Sequence, residues 1–167
     1  MDGLQALLHE REEAIVGRWF EDTLADYPSD GARAFSRERN AFANPVGHSL
    51  RTGTRAIFEA LVDDADDGAL HRALDDILGI RAVQQLPPAR AVGFLFHLKD
   101  LLHAELNGAP AAAGLREALE ALDRRIDGAA LSAFETYVAY RELVAELRIA
   151  EVKRTVPWAA RRRRGRE

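Results

Sequence analysis

Five histidines, three tyrosines and a scatter of arginines and carboxylates hold whatever chemistry this sequence can do, because its 167 residues include no cysteine. Disulfides, thiolate metal sites, iron–sulfur clusters and cysteine nucleophiles are excluded at once. His97 stands inside an apolar run, FLFHLK. A neutral imidazole there must find a hydrogen-bond partner or bind something, so it reads either as a satisfied core histidine or as a haem or metal ligand. His103 shares a face with Lys99, Asp100 and Asn107 and reads as solvated. Asp100 and His103, at i and i+3, make half of a carboxylate-bundle metal site, and one such pair is too few. No HExxH signature is present, and His9 and His71 sit among charged residues, which places them on the surface.

Three further groups could form a polar pocket. Arg81 continues the apolar stripe Leu74, Ile77 and Leu78 at helical spacing, and Gln84 follows one turn later, so two polar residues point where a core is expected. Arg81 could pair with a buried carboxylate and cap carbonyls, or read a ligand. Asn44 and Pro45 open a helix whose first turn carries His48, with Arg51 and Arg55 one and two turns on, a geometry able to hold an anion. Tyr137, Tyr140 and Arg141 lie near the core face of the last helix. No GxSxG elbow, phosphate loop or dinucleotide fingerprint appears, and the expectation is a protein that is not an enzyme.

The elements that must position these groups are all helices. Residues 3 to 26 place Leu4, Leu7, Leu8, Ile15, Trp19 and Leu24 near one stripe before Tyr27-Pro28 stops it. Ser29 caps a short segment to about Asn40 anchored by Phe35 and Phe42. Asn44-Pro45 starts a helix with Val46, Leu50, Thr54, Ile57, Phe58 and Leu61 on one face, ended by the acidic run to Asp67 and by Gly68. Residues 69 to 85 form the next, stopped by Pro87-Pro88. From Ala89 to Leu106 the first half is apolar nearly all round, which predicts the most buried helix. After a turn at Asn107-Gly108-Ala109-Pro110, residues 112 to about 154 keep one stripe through Leu122, Ile126, Ala133, Tyr137 and Val144. Unbroken, that stretch spans about 65 Å, so either Asp127-Gly128 splits it or its end projects. The expected architecture is all-α, a single bundle of six or seven helices with a long C-terminal helix.

Composition agrees. Apolar residues make up 47% and charged residues 30%, a globular balance suited to one domain. Residues 161–167 hold five Arg and one Glu, and removing their +4 from the overall charge of −4 leaves the body at −8. An acidic body argues against specific nucleic-acid binding. The domain is drawn over 1–156, with 157–167 as a basic, disordered tail whose Trp158 and arginines could make a weak anionic-membrane contact. The longest apolar stretch, Ala91 to Leu98, is about half of a membrane span, and acidic Asp2 and Glu10 stand where a signal peptide needs basic residues, which predicts a cytoplasmic protein.

Three stretches, WFEDTLADYP with FANPVGHSL, IRAVQQLPPARAVGFLFHLKDLL, and FETYVAYRELVAELRIAEVKR, resemble the RsbRD N-terminal domain family, the sensory domain named after the RsbT co-antagonist proteins of the bacterial stressosome. The resemblance covers most of residues 10 to 154. It implies a globin-like helical sensory fold that generally lacks haem and sits upstream of an output such as a STAS domain or histidine kinase. No such output follows residue 154, so the expectation is a sensor or adaptor that acts in trans on a signalling partner, as a homodimer through its C-terminal helix. Relatives that stand alone occur beside respiratory redox complexes, which keeps an accessory role for a redox complex as an alternative, and a haem- or metal-binding protein using His97 as another. The family has an aliphatic residue where His97 falls. Asn44, Pro45, Gly47, His48, Arg81, Gln84 and Tyr137 match the family's motifs.

Overall fold

The computed structural model describes residues 2–27, 42–106 and 113–164, with side chains to residue 155. Six helices occur among them, and no strand. They are α1 (Asp2–Glu10), α2 (Glu12–Leu24), α3 (Pro45–Val62), α4 (Asp67–Val83), α5 (Pro88–Leu106) and α6 (Ala113–Arg164). The short segment expected between Ser29 and Asn40, and the Asn107–Pro110 turn, lie outside the described residues.

Local chemistry sets most of these boundaries. The Asn44 side chain accepts the Gly47 N–H at 2.9 Å, with Pro45 in the first turn, as the Asn-Pro pair predicts. Asp66 caps α4 in the same way, accepting the Ala69 N–H at 2.9 Å. Both α3 and α4 end on a non-glycine residue in the left-handed region, Asp64 (φ 53°) and Gln85 (φ 59°). In each case the next N–H turns back across the helix end, Ala65 to the Ala60 carbonyl at 3.1 Å and Leu86 to the Arg81 carbonyl at 3.3 Å. This closure satisfies orphan carbonyls, which offsets the roughly 1 kcal/mol cost of that conformation.

Two boundaries differ from the sequence reading. The first stripe is two helices, broken at Arg11, whose N–H bonds back only three residues, to Leu8, at 3.2 Å. Across the break, Leu4 and Leu8 before it and Ile15, Val16 and Trp19 after it all stay in the core. Arg11 itself reaches across to α5, donating to the Glu105 carbonyl. In the other direction, Asp127-Gly128 does not split α6, which runs unbroken for 52 residues, about 78 Å. A mid-helix glycine costs only about 1 kcal/mol, and here Ile126, Ala129, Ala130 and Ala133 are buried around it. The backbone stays helical through Pro157 to Arg164, past the boundary drawn at residue 156.

The core lies where α4, α5 and α6 pack on α2 and α3. Trp19 and Phe94 stack at its centre, with ring centroids 5.6 Å apart, and the Trp19 indole donates to the Phe94 carbonyl at 2.6 Å. Gly53 allows α3 to close on α4, since a Cβ there would stand 2.7 Å from the Ile77 side chain. Ile126, Ala133 and Tyr137 hold α6 to this core. Beyond Arg141 the helix leaves the bundle, and Leu143, Leu147, Ile149 and Val152 are exposed. The predicted alternative of a projecting end is therefore the one realised.

Candidate functional site

Arg81 occupies the last turn of α4 with its side chain fully buried, so its charge must be met by protein. Nη1 lies 3.1 Å from Asp26 Oδ2 and 2.7 Å from the Arg90 carbonyl, and Nη2 lies 3.4 Å from the Thr23 carbonyl. The guanidinium stacks over Phe94, 4.6 Å from the ring centre, and stands 5.7 Å from that of Tyr27. One side chain thus ties the end of α2 and the start of α5 to the end of α4. Burial pushes the Tyr27 phenol up from its ordinary value, against the opposing pull of Arg81, and keeps it neutral. The Arg81 Nε and the Thr23 hydroxyl are both buried and have no protein partner.

Three of the residues singled out by the sequence converge on the α4–α5 turn. Arg81 lies beneath it. Tyr137, fully buried on α6, donates its hydroxyl to the Leu86 carbonyl in the turn. Gln84 caps α4 through its backbone, and its side chain is exposed rather than turned into the core, because the helix ends at Val83 before the stripe can continue. A second tie from α6 lands on the same turn, Arg148 Nη1 donating to Gln85 Oε1 at 3.0 Å. One turn further along α6, the Tyr140 hydroxyl donates to Asp75 Oδ2 at 2.9 Å, and that carboxylate first, with burial second, raises the phenol above its ordinary value.

Asn44 and His48 are not part of this junction. The Asn44 side chain serves its own helix, and His48 is exposed beside it. The arginines expected to complete an anion site are engaged elsewhere. Arg51 lies 4.0 Å over the Phe20 ring, and Arg55 pairs with Glu12 at 2.6 Å and with Glu13.

His97 is exposed, which overturns its reading as a core histidine. The buried side of α5 is taken by Ala91, Phe94, Leu95, Leu98 and Leu102, leaving Phe96 and His97 facing out. His97 lines a cleft of about 450 Å³ with Arg18, Asp22 and Asp100. Among the described residues no three His, Asp or Glu side chains come together in a way that could hold a metal ion. His103, solvated as expected, meets Asp123 on α6 at 2.8 Å. One helical turn away, Lys99 grips Asp127 at 2.8 and 3.0 Å, which holds the ammonium above its ordinary value.

What sequence reasoning missed is a second apolar stripe on α6. Leu131, Phe134 and Val138 follow the 3–4 spacing about a third of a turn away from the buried stripe, Ile149 and Val152 resume the same face beyond Arg141, Glu142 and Ala145, and all five apolar residues are exposed. Where this seam runs along the bundle it walls, with Val92, Gly93 and Phe96 of α5, an open groove of about 730 Å³. The signal was present in the spacing, but the buried stripe already accounted for the helix.

A helical bundle that buries its polar groups in helix junctions and leaves an apolar seam on a projecting terminal helix has the build of a protein-interaction module. The chain belongs to the RsbT co-antagonist protein rsbRD N-terminal domain family, whose model matches residues 13–152. That is a family of sensory domains in stress signalling, and the match bears out the resemblance carried by FANPVG and the RAVQ segment. No curated protein and no solved structure matches the chain. Among the described residues no helix is long and apolar enough to cross a membrane.

Proposed function

We propose that this chain is a non-catalytic sensory or adaptor domain of a bacterial stress-signalling system, acting in trans on a partner protein in the cytoplasm and pairing with a second copy through α6. The observation that carries this reading is the exposed seam from Leu131 to Val152. Isolated surface leucines are ordinary, whereas five large apolar residues in two groups on one face of about 32 Å of helix are the pattern of a helix built to be covered. The junction at the α4–α5 turn supplies a means of transmission. Tyr137 and Arg148 link α6 to the turn that Arg81 holds from below, so a change in the bundle that moves the turn also moves the helix that leaves it.

Light scattering coupled to size exclusion tests the association. The expected result is a dimer that Phe134→Glu converts to monomer with unchanged helical circular dichroism, since Phe134 is half exposed and packs little of the core. A strict monomer at all attainable concentrations would count heavily against the reading.

A further inference from the structure

We propose that the projecting end of α6 docks on an anionic lipid surface through its terminal arginines, with α6 as the stalk that carries the bundle above that surface. The proposal is independent of the reading of α6 as a self-association helix, because it uses residues 156–166, which lie past the apolar seam.

Net charge alone opposes such a contact. The chain carries −4, and its body without residues 161–167 carries −8, so an anionic surface repels most of the molecule. The structure separates the two signs in space. Arg148 still touches the bundle at Gln85, and the α6 backbone continues as helix from there to Arg164. Arg161 therefore stands thirteen residues beyond that tie, about 20 Å along the helix axis. Between the two, Glu151 is met by Arg154, and Lys153 adds one more exposed cation. Charges in water are screened over about 8 Å at physiological ionic strength. With α6 standing on the surface, the acidic bundle is more than two screening lengths away, and its repulsion no longer cancels the attraction of the arginines.

The residue types beside the run select lipid over nucleic acid. Val156, Trp158, Ala159 and Ala160 come just before Arg161, Arg162, Arg163 and Arg164. Tryptophan beside arginine suits the headgroup level of a bilayer, where the ring meets apolar and polar surroundings together. Valine and alanine gain nothing against phosphates or base edges, whereas they gain from the acyl boundary. Among the described residues no helix is long and apolar enough to cross a membrane, and the contact proposed is peripheral, made first by charge.

Co-sedimentation of the full chain with vesicles tests this, using phosphatidylcholine alone and phosphatidylcholine mixed equally with phosphatidylglycerol. The chain is expected on the mixed vesicles only, and raised salt should release it. Arg162→Gln combined with Arg163→Gln should weaken the partition about tenfold or more, with helical circular dichroism and light scattering unchanged. Trp158 gives a second readout, since Trp19, the other of the two tryptophans, is fully buried in the core. Emission should shift to the blue on mixed vesicles, and Trp158→Phe should abolish that shift. No sedimentation at low salt, or equal partition of the parent and the double variant, would overturn the proposal. So would binding to a duplex DNA of mixed sequence at a salt concentration that frees the chain from the vesicles, which would assign the arginines to nucleic acid instead.

Discussion

The end of α4 and the outer side of α6 manage their side chains in opposite ways. At the first, a full charge is buried and surrounded by carbonyls, a carboxylate and an aromatic ring. At the second, large apolar groups are left in water with Leu131 at 72% exposure. Burial of a charge is costly unless protein groups meet it, so the partners of the Arg81 Nη1 and Nη2 atoms specify how three helices meet. Exposed apolar area has the reverse character, because it contributes little to the fold and gains free energy only when something covers it. The contrast separates the part of the molecule that defines its conformation from the part suited to report it.

Substitutions at the two places should therefore differ most in their effect on folding. Arg81→Ala removes one partner of a buried ion pair and leaves Asp26 and three carbonyls without their donor, so a loss of about 3–5 kcal/mol is expected. Thermal unfolding should show it as a fall on the order of 10 °C for a chain of this size. A change under 1 kcal/mol would mean that the node is not the anchor described here. Tyr137→Phe is the milder version, since it deletes only the hydroxyl that satisfies the Leu86 carbonyl, and urea denaturation should register about 1–2 kcal/mol.

On the open side, Leu131→Ala should stay within about 0.5 kcal/mol of the parent in monomer stability while weakening self-association. Equal losses of stability at Leu131 and Tyr137 would erase the distinction between the two regions.

The smallest expected effect concerns His9, partly exposed at the surface, which lies 2.6 Å from Asp63 and 3.2 Å from Glu12. The hydrogen bonds to Asp63 and then Glu12 raise its value above the ordinary 6.5. A raised value in the fold means that the protonated form is favoured there. The stabilisation is therefore full below the unfolded value and is lost as pH climbs through the folded one. Parent and His9→Gln should differ more at pH 6 than at pH 8 in thermal melts, by a small margin because solvent screens the group.

Much of this was legible in the residues themselves. Asn44-Pro45 and Pro88 begin helices where they must, because cap chemistry and proline's missing N–H act locally and need no tertiary information. Arg81 was recognisable as unusual because a charge in an apolar stripe breaks the helical pattern. Its partner Asp26 was not, since nothing in a 3.6-residue period reveals which distant carboxylate will arrive. His97 and Gln84 were misplaced for a related reason. An apolar run shows that a helix is buried on most sides without showing which side lacks a neighbour, and a stripe extrapolated past Val83 ignores the turn that ends it.

The sequence by itself determined an all-helical bundle, the family to which it belongs and most helix starts, because periodicity, capping and proline are short-range properties of the chain. Only the tertiary structure decided that the first stripe breaks at Arg11, that α6 holds together through Gly128, and that Arg81, Tyr137 and Arg148 converge on one turn while a second stripe on α6 stays uncovered. Those outcomes depend on which faces meet in space, where burial of one surface outweighs a local preference of about 1 kcal/mol.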